Sequence, residues 1–181
     1  GTGTLTLINS DLDIDGTFRI ISGTFNVNGQ NITTATNFIS SGTLQLNGDE
    51  SLSFNNWTSS GTVEYLGGAT YTLRDYGSSD YYALILTGTG TFNADTNLSM
   101  GNDFTLSTGV FNLNHSTTVV TVGGDWTTTL GTFNGGGKVE FNGAIAQSVD
   151  SNGQAFNDII SSNTHASGLT FLSSFTAASL T

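Results

Sequence analysis

Two clusters in the 181-residue chain carry side chains whose types and spacing could do chemistry. Asp11-Leu-Asp-Ile-Asp-Gly16 sets three carboxylates at alternate positions, as a calcium loop begins, where successive acids give hard oxygen ligands to one cation. The twelfth position of such a loop needs a bidentate Glu, and here it is Ser22. Leu12 and Ile14 also alternate with the acids as core residues of a strand would. Asp11, Asp13 and Asp15 are therefore a candidate calcium site, and a solvated strand face is the plainer reading. The second cluster is aromatic. Tyr71, Tyr76, Tyr81 and Tyr82 are four of the five tyrosines, interleaved with Arg74, Asp75 and Asp80. Rings beside carboxylates and a guanidinium suit a sugar or a protein partner. Tyr71, Arg74, Asp75, Tyr76, Asp80 and Tyr81 are the candidate ligand-binding residues, against ordinary core or edge packing.

Other chemistry finds little footing. Glycoside cleavage needs paired carboxylates, but neither Asp75/Asp80 nor the Asp11 triad carries a marker for it, so the chain is expected not to be an enzyme. His115 and His165 stand alone, without metal-ligand spacing. The Gly-x-Gly at Gly1 and at Gly88 is a turn signature without the third Gly and helix that a phosphate site requires. With no Cys, disulfides and thiol chemistry are excluded. Three basic side chains (Arg19, Arg74, Lys138) against 14 acids leave a net charge of −11 and cannot neutralise a nucleic-acid backbone. No cofactor is expected beyond the candidate calcium ion. No apolar run is long enough to span a bilayer. The chain opens and closes in mid-pattern, as part of a longer chain or assembly would.

The elements that must position these residues are strands. Thr, Gly, Ser and Asn supply 93 of the 181 residues, yet 36% are hydrophobic and twelve are Phe, enough apolar surface to drive folding. Helical spacing is missing throughout. Short apolar-polar-apolar runs such as Phe25-Asn-Val27, Leu44-Gln-Leu46, Val63-Glu-Tyr65, Phe104-Thr-Leu106 and Phe111-Asn-Leu113 recur instead, separated by Gly, Asn, Asp or Ser. They follow one another every seven to eight residues, which leaves room for a three-residue strand and a tight turn. Three such steps make one coil of about 22 residues: Phe104 to Trp126 and Phe111 to Phe133 are 22 apart, Val120 to Phe141 is 21 and Phe133 to Phe156 is 23. In the first half, Phe18 to Ile39 and Phe25 to Leu46 are 21 apart and Ile32 to Phe54 is 22. The expectation is an all-β, three-sided parallel β-solenoid, with two tandem β-sandwich domains as the alternative. Phe-Asn occurs seven times, which predicts inward Phe with the adjacent Asn facing outward, where an Asn ladder can bond between coils, or turning a corner.

A longer likeness overlies the coils. Asp15-Gly-Thr-Phe18 through Asn28 matches Gly101-Asn-Asp-Phe104 through Asn114 at an offset of 86 residues, and Gly61-Thr-Val-Glu-Tyr65 matches Gly137-Lys-Val-Glu-Phe141 at 76. Residues 1–181 therefore read as a single repetitive segment with an imperfect duplication, about 1–87 and 88–181.

The run Val122-Gly-Gly-Asp-Trp-Thr127, Gly131-Thr-Phe-Asn134 and Gly137-Lys-Val-Glu-Phe-Asn-Gly143 resembles repeats of very large bacterial surface proteins, the β-strand-repeat or filamentous-haemagglutinin-like adhesins. The resemblance implies an extracellular, elongated stalk that displays or adheres. The expected role is accordingly a structural or adhesive module of a cell-surface fibre. Its expected partners are further copies, end to end or within a longer fibre, and surface glycans or other cells. The alternatives are a carbohydrate-binding or sugar-cleaving β-helix centred on Tyr71 to Tyr82, and an ice-binding solenoid. The last rests on Thr-x-Thr runs such as Thr70-Thr72 and Thr127-Thr129, which do not recur at coil spacing and so are not expected to share a face.

Overall fold

A computed structural model describes residues 2–34, 36–77 and 80–181. Its described residues contain 24 short strands and no helix, and every strand pairing is parallel. Three-residue strands separated by Gly- and Asn-rich turns cannot form hairpin sheets of useful length. Each instead pairs with the equivalent strand of the next coil, and the apolar faces of all three sides turn inward.

The first side is a nine-stranded sheet: β1 (Thr4–Thr6), β4 (Thr24–Asn26), β7 (Thr43–Leu46), β10 (Thr62–Tyr65), β12 (Ala83–Leu86), β15 (Phe104–Leu106), β18 (Trp126–Thr128), β21 (Gln147–Asp150) and β23 (Leu169–Phe171). The second side starts as β2 (Leu12–Ile14), β5 (Ile32–Thr34) and β8 (Leu52–Ser53). It resumes as a separate sheet of β11 (Thr70–Thr72), β13 (Thr91–Ala94), β16 (Val110–Leu113) and β19 (Thr132–Gly135). The third side is likewise divided. It comprises β3 (Phe18–Ile20), β6 (Asn37–Ser40) and β9 (Asn56–Ser59), then β14 (Leu98–Met100), β17 (Val119–Val122), β20 (Lys138–Phe141), β22 (Ala155–Ser161) and β24 (Thr176–Leu180).

This is the three-sided parallel solenoid, and the tandem-sandwich alternative is excluded. Two of the predicted columns hold: Phe104 pairs with Trp126 and Phe111 with Phe133. Elsewhere the register differs by one or two residues. Phe25 pairs with Leu44 rather than Leu46, Ile32 with Leu52 rather than Phe54, Phe18 with Phe38 rather than Ile39, and Val120 with Val139 rather than Phe141. In an alternating strand a two-residue slip leaves the same face inward, so residues i and i+2 compete equally for one column. The step between coils is 19 residues from Phe25 to Leu44 and 23 from Trp126 to Val149. The segments matched at an offset of 86 fall on different sides: Phe18 lies in β3 of the third side and Phe104 in β15 of the first.

The interior is filled by these columns. Phe104, Trp126, Phe111, Phe133, Phe141 and Phe156 form one network of rings, with Phe104 and Trp126 at 4.3 Å and Phe133 and Phe156 at 5.1 Å between centroids. The Trp126 indole nitrogen, buried in this network, donates to Thr128 Oγ1 at 3.0 Å.

Candidate functional site: a seam at the fourth coil

The tyrosine cluster lies where the second and third sides are divided. Among the described residues no ladder joins β8 to β11 or β9 to β14. Side chains fill the gap. Tyr76 stacks on Trp57 with centroids 3.9 Å apart and planes within 3°, continuing the inward column Phe18–Phe38–Trp57. Arg74 donates from Nη1 to the Leu52 carbonyl at 2.8 Å and from Nη2 to the Glu50 carbonyl at 3.1 Å. Its guanidinium thus supplies donors to the edge near β8 where a following strand would have done so.

Glu50, which sequence reasoning did not single out, is the second organising group. Its buried carboxylate accepts from the backbone N–H of Asn47 (2.6 Å), Gly48 (2.7 Å) and Gly29 (3.1 Å), holding two successive corners together. The only hint was an acid two residues after an Asn-Gly turn. Gly48 has φ of +123°, and a Cβ there would lie 2.5 Å from the Tyr71 ring, so Tyr71 packs flat over this corner.

The six candidate residues do not make one exposed patch. Tyr81 is 2% exposed; its hydroxyl donates to the Arg74 carbonyl at 2.9 Å and lies 3.2 Å from the Tyr65 hydroxyl. Burial pushes the Tyr65 phenol up to about 12, and pushes Tyr76 and Tyr81 well above the ordinary tyrosine range. Asp80, 1% exposed, accepts from the backbone N–H of Tyr76 and of Ser99, each at 2.6 Å, and from the Ser99 hydroxyl at 3.0 Å. Burial raises its pKa despite these donors. Tyr71, Arg74 and Tyr76 are half-buried, and Asp75 is exposed.

Asp75 lines a recess of about 310 Å³ with Arg74, Trp57, Phe54 and Tyr76, whereas Asp80 borders a different one beside Asn97, Ser99 and Thr121. The two acids that sugar cleavage would have to combine therefore face different spaces. Both faces of the Trp57 ring are covered, by Phe38 and by Tyr76, so neither is open to a sugar.

Asp11, Asp13 and Asp15 project outward at strand spacing about β2, all exposed. Asp11 accepts from the Asn31 backbone N–H at 2.7 Å and its side-chain amide at 3.1 Å, and these bonds lower its pKa. Asn31 Oδ1 in turn accepts from Ser51 N–H at 2.7 Å, so Asp11 starts a polar ladder along the corner. Among the described residues no group of three acidic, His or Cys side chains is placed to share a cation. His115 and His165 are exposed, and His165 Nδ1 accepts from Ser167 N–H at 3.1 Å. Of the Gly-x-Gly turns, Gly1 lies outside the described residues.

A longer groove runs along the first side, about 540 Å³, lined by Ser22-Gly-Thr24, Ser41-Gly-Thr43 and Ser60-Gly-Thr62 and ending at Tyr82, Asn102 and Asp103. Thr4, Thr24, Thr43 and Thr62 pair in one column here, an alignment of hydroxyls that Thr-x-Thr spacing had not revealed. Compared with protein-family models, curated proteins and solved structures, the chain has no significant match in any of the three.

Proposed function

We propose that the chain is an extracellular structural module, a segment of a cell-surface fibre that spaces or adheres. The observation that carries this reading is the first side: nine parallel strands in unbroken register over a solid interior of stacked Phe, Leu, Val and Trp. Such a stack is a rod, about 40 Å long at the usual strand separation, and a stack of coils extends by adding coils. Its acidic surface and ladders of hydroxyl and amide groups suit a solvated stalk. Partner copies would meet it end to end or within a longer fibre.

A glycan-binding role is favoured by one feature, the first-side groove with its rows of hydroxyls and the 41% exposed ring of Tyr82 at one end. Electron microscopy of the native material separates the two. Thin fibres with a regular axial repeat are expected. A dispersed particle that binds a glycan array, and loses that binding in Tyr82→Ala, would replace the structural reading with the second.

A further inference from the structure

The division of the second and third sides falls at one level of the rod. Among the described residues only the first side keeps its ladder between coils three and four, where β10 pairs with β7 below and β12 above. The remaining connection is made by the Arg74 guanidinium on two carbonyls, Tyr71 over Gly48, and Tyr76 on Trp57. That last contact contains two of the three buried side-chain polar atoms without a hydrogen-bond partner among the described residues, Trp57 Nε1 and the Tyr76 hydroxyl oxygen. A buried polar group left unpaired weakens the packing around it. In a stack of coils, cooperativity passes only through contacts between neighbours, so the unit boundary falls where that contact is poorest.

We infer that the seam divides the rod into two cooperative units, and that the three coils of residues 2–59 open as a block ahead of the coils from Thr62 onward. The first block has three strands on each of its second and third sides, against four and five in the other. Fewer coil-to-coil interfaces make it the weaker unit. The continuous first side holds the two in line while both are closed. This division is independent of where the protein acts.

Native-state hydrogen exchange on the full chain tests it. The amide of Ile32, bonded to Ser51 O, reports on the first block, and those of Val110 (to Gly90 O) and Lys138 (to Thr118 O) report on the second. The first is expected to exchange about tenfold faster or more through a shared opening, and denaturant should resolve two isotherms. Arg74→Met, which keeps the apolar stem, should speed the first block about tenfold further and leave the second unchanged. Tyr76→Phe, which removes only the unpaired hydroxyl, should slow it. A single isotherm for both sets of amides, or equal acceleration of both by Arg74→Met, would overturn the inference.

Discussion

Tyr65 and Tyr81 share a hydroxyl contact at 3.2 Å in the interior, and that pair makes the fold sensitive to alkali. The folded Tyr65 holds its proton up to about 12, whereas an unfolded tyrosine loses it near 10. Between those values the unfolded chain binds fewer protons, so stability, complete below about pH 10, falls by about 1.4 kcal/mol per pH unit for such a group. Urea unfolding repeated across this range should show the drop, and Tyr65→Phe should flatten part of it. Phe111 has no exposed surface and Phe133 almost none. Truncating either to Ala should cost about 3–5 kcal/mol in the same assay, and a cost below about 1 kcal/mol would contradict their place in the core. Clustering of the tyrosines was legible at this scale, but their burial was not. Tyr81 and Asp80 differ in no local way from exposed strand residues, because what covers them is distant in sequence, Tyr65 and Met100 beside Tyr81 and Ser99 beside Asp80.

At the scale of elements, the outward Asn ladder expected from the Phe-Asn repeats is formed on the second side. Asn134 Nδ2 donates to Asn112 Oδ1 at 2.7 Å and Asn112 Nδ2 to Asn93 Oδ1 at 2.9 Å. Asn112→Ala removes both bonds and should lower stability by about 1 kcal/mol, little for a surface so open to water. The corners are less forgiving. A Cβ on Gly61 would lie 2.0 Å from the Gly42 carbonyl oxygen. Gly61→Ala must push two coils apart and should cost about 1–3 kcal/mol, read from its denaturation midpoint. Strand identity and the three-sided coil were legible because period-two alternation and turn residues are local signals. Register was legible only where an aromatic marks one position, as Phe111 and Phe133 do. At Leu44-Gln-Leu46 two equivalent apolar residues left it open, and Leu44 takes the Phe25 column.

The whole molecule is a rod held by backbone ladders and a ring-filled interior, with 14 acids and three bases over its length. Its architecture could be read from the sequence because every coil repeats the same signals. The seam could not, because it consists of ladders that fail to form, and the sequence marks them only by an Arg and a Tyr at positions 74 and 76. The proposed stalk role requires the chain to stand outside the cell, and that location is the most direct test of the account. Gold-labelled antibody raised against this chain, applied to intact source cells and imaged by electron microscopy, should decorate surface fibres without permeabilisation. Labelling that appears only inside permeabilised cells would contradict it.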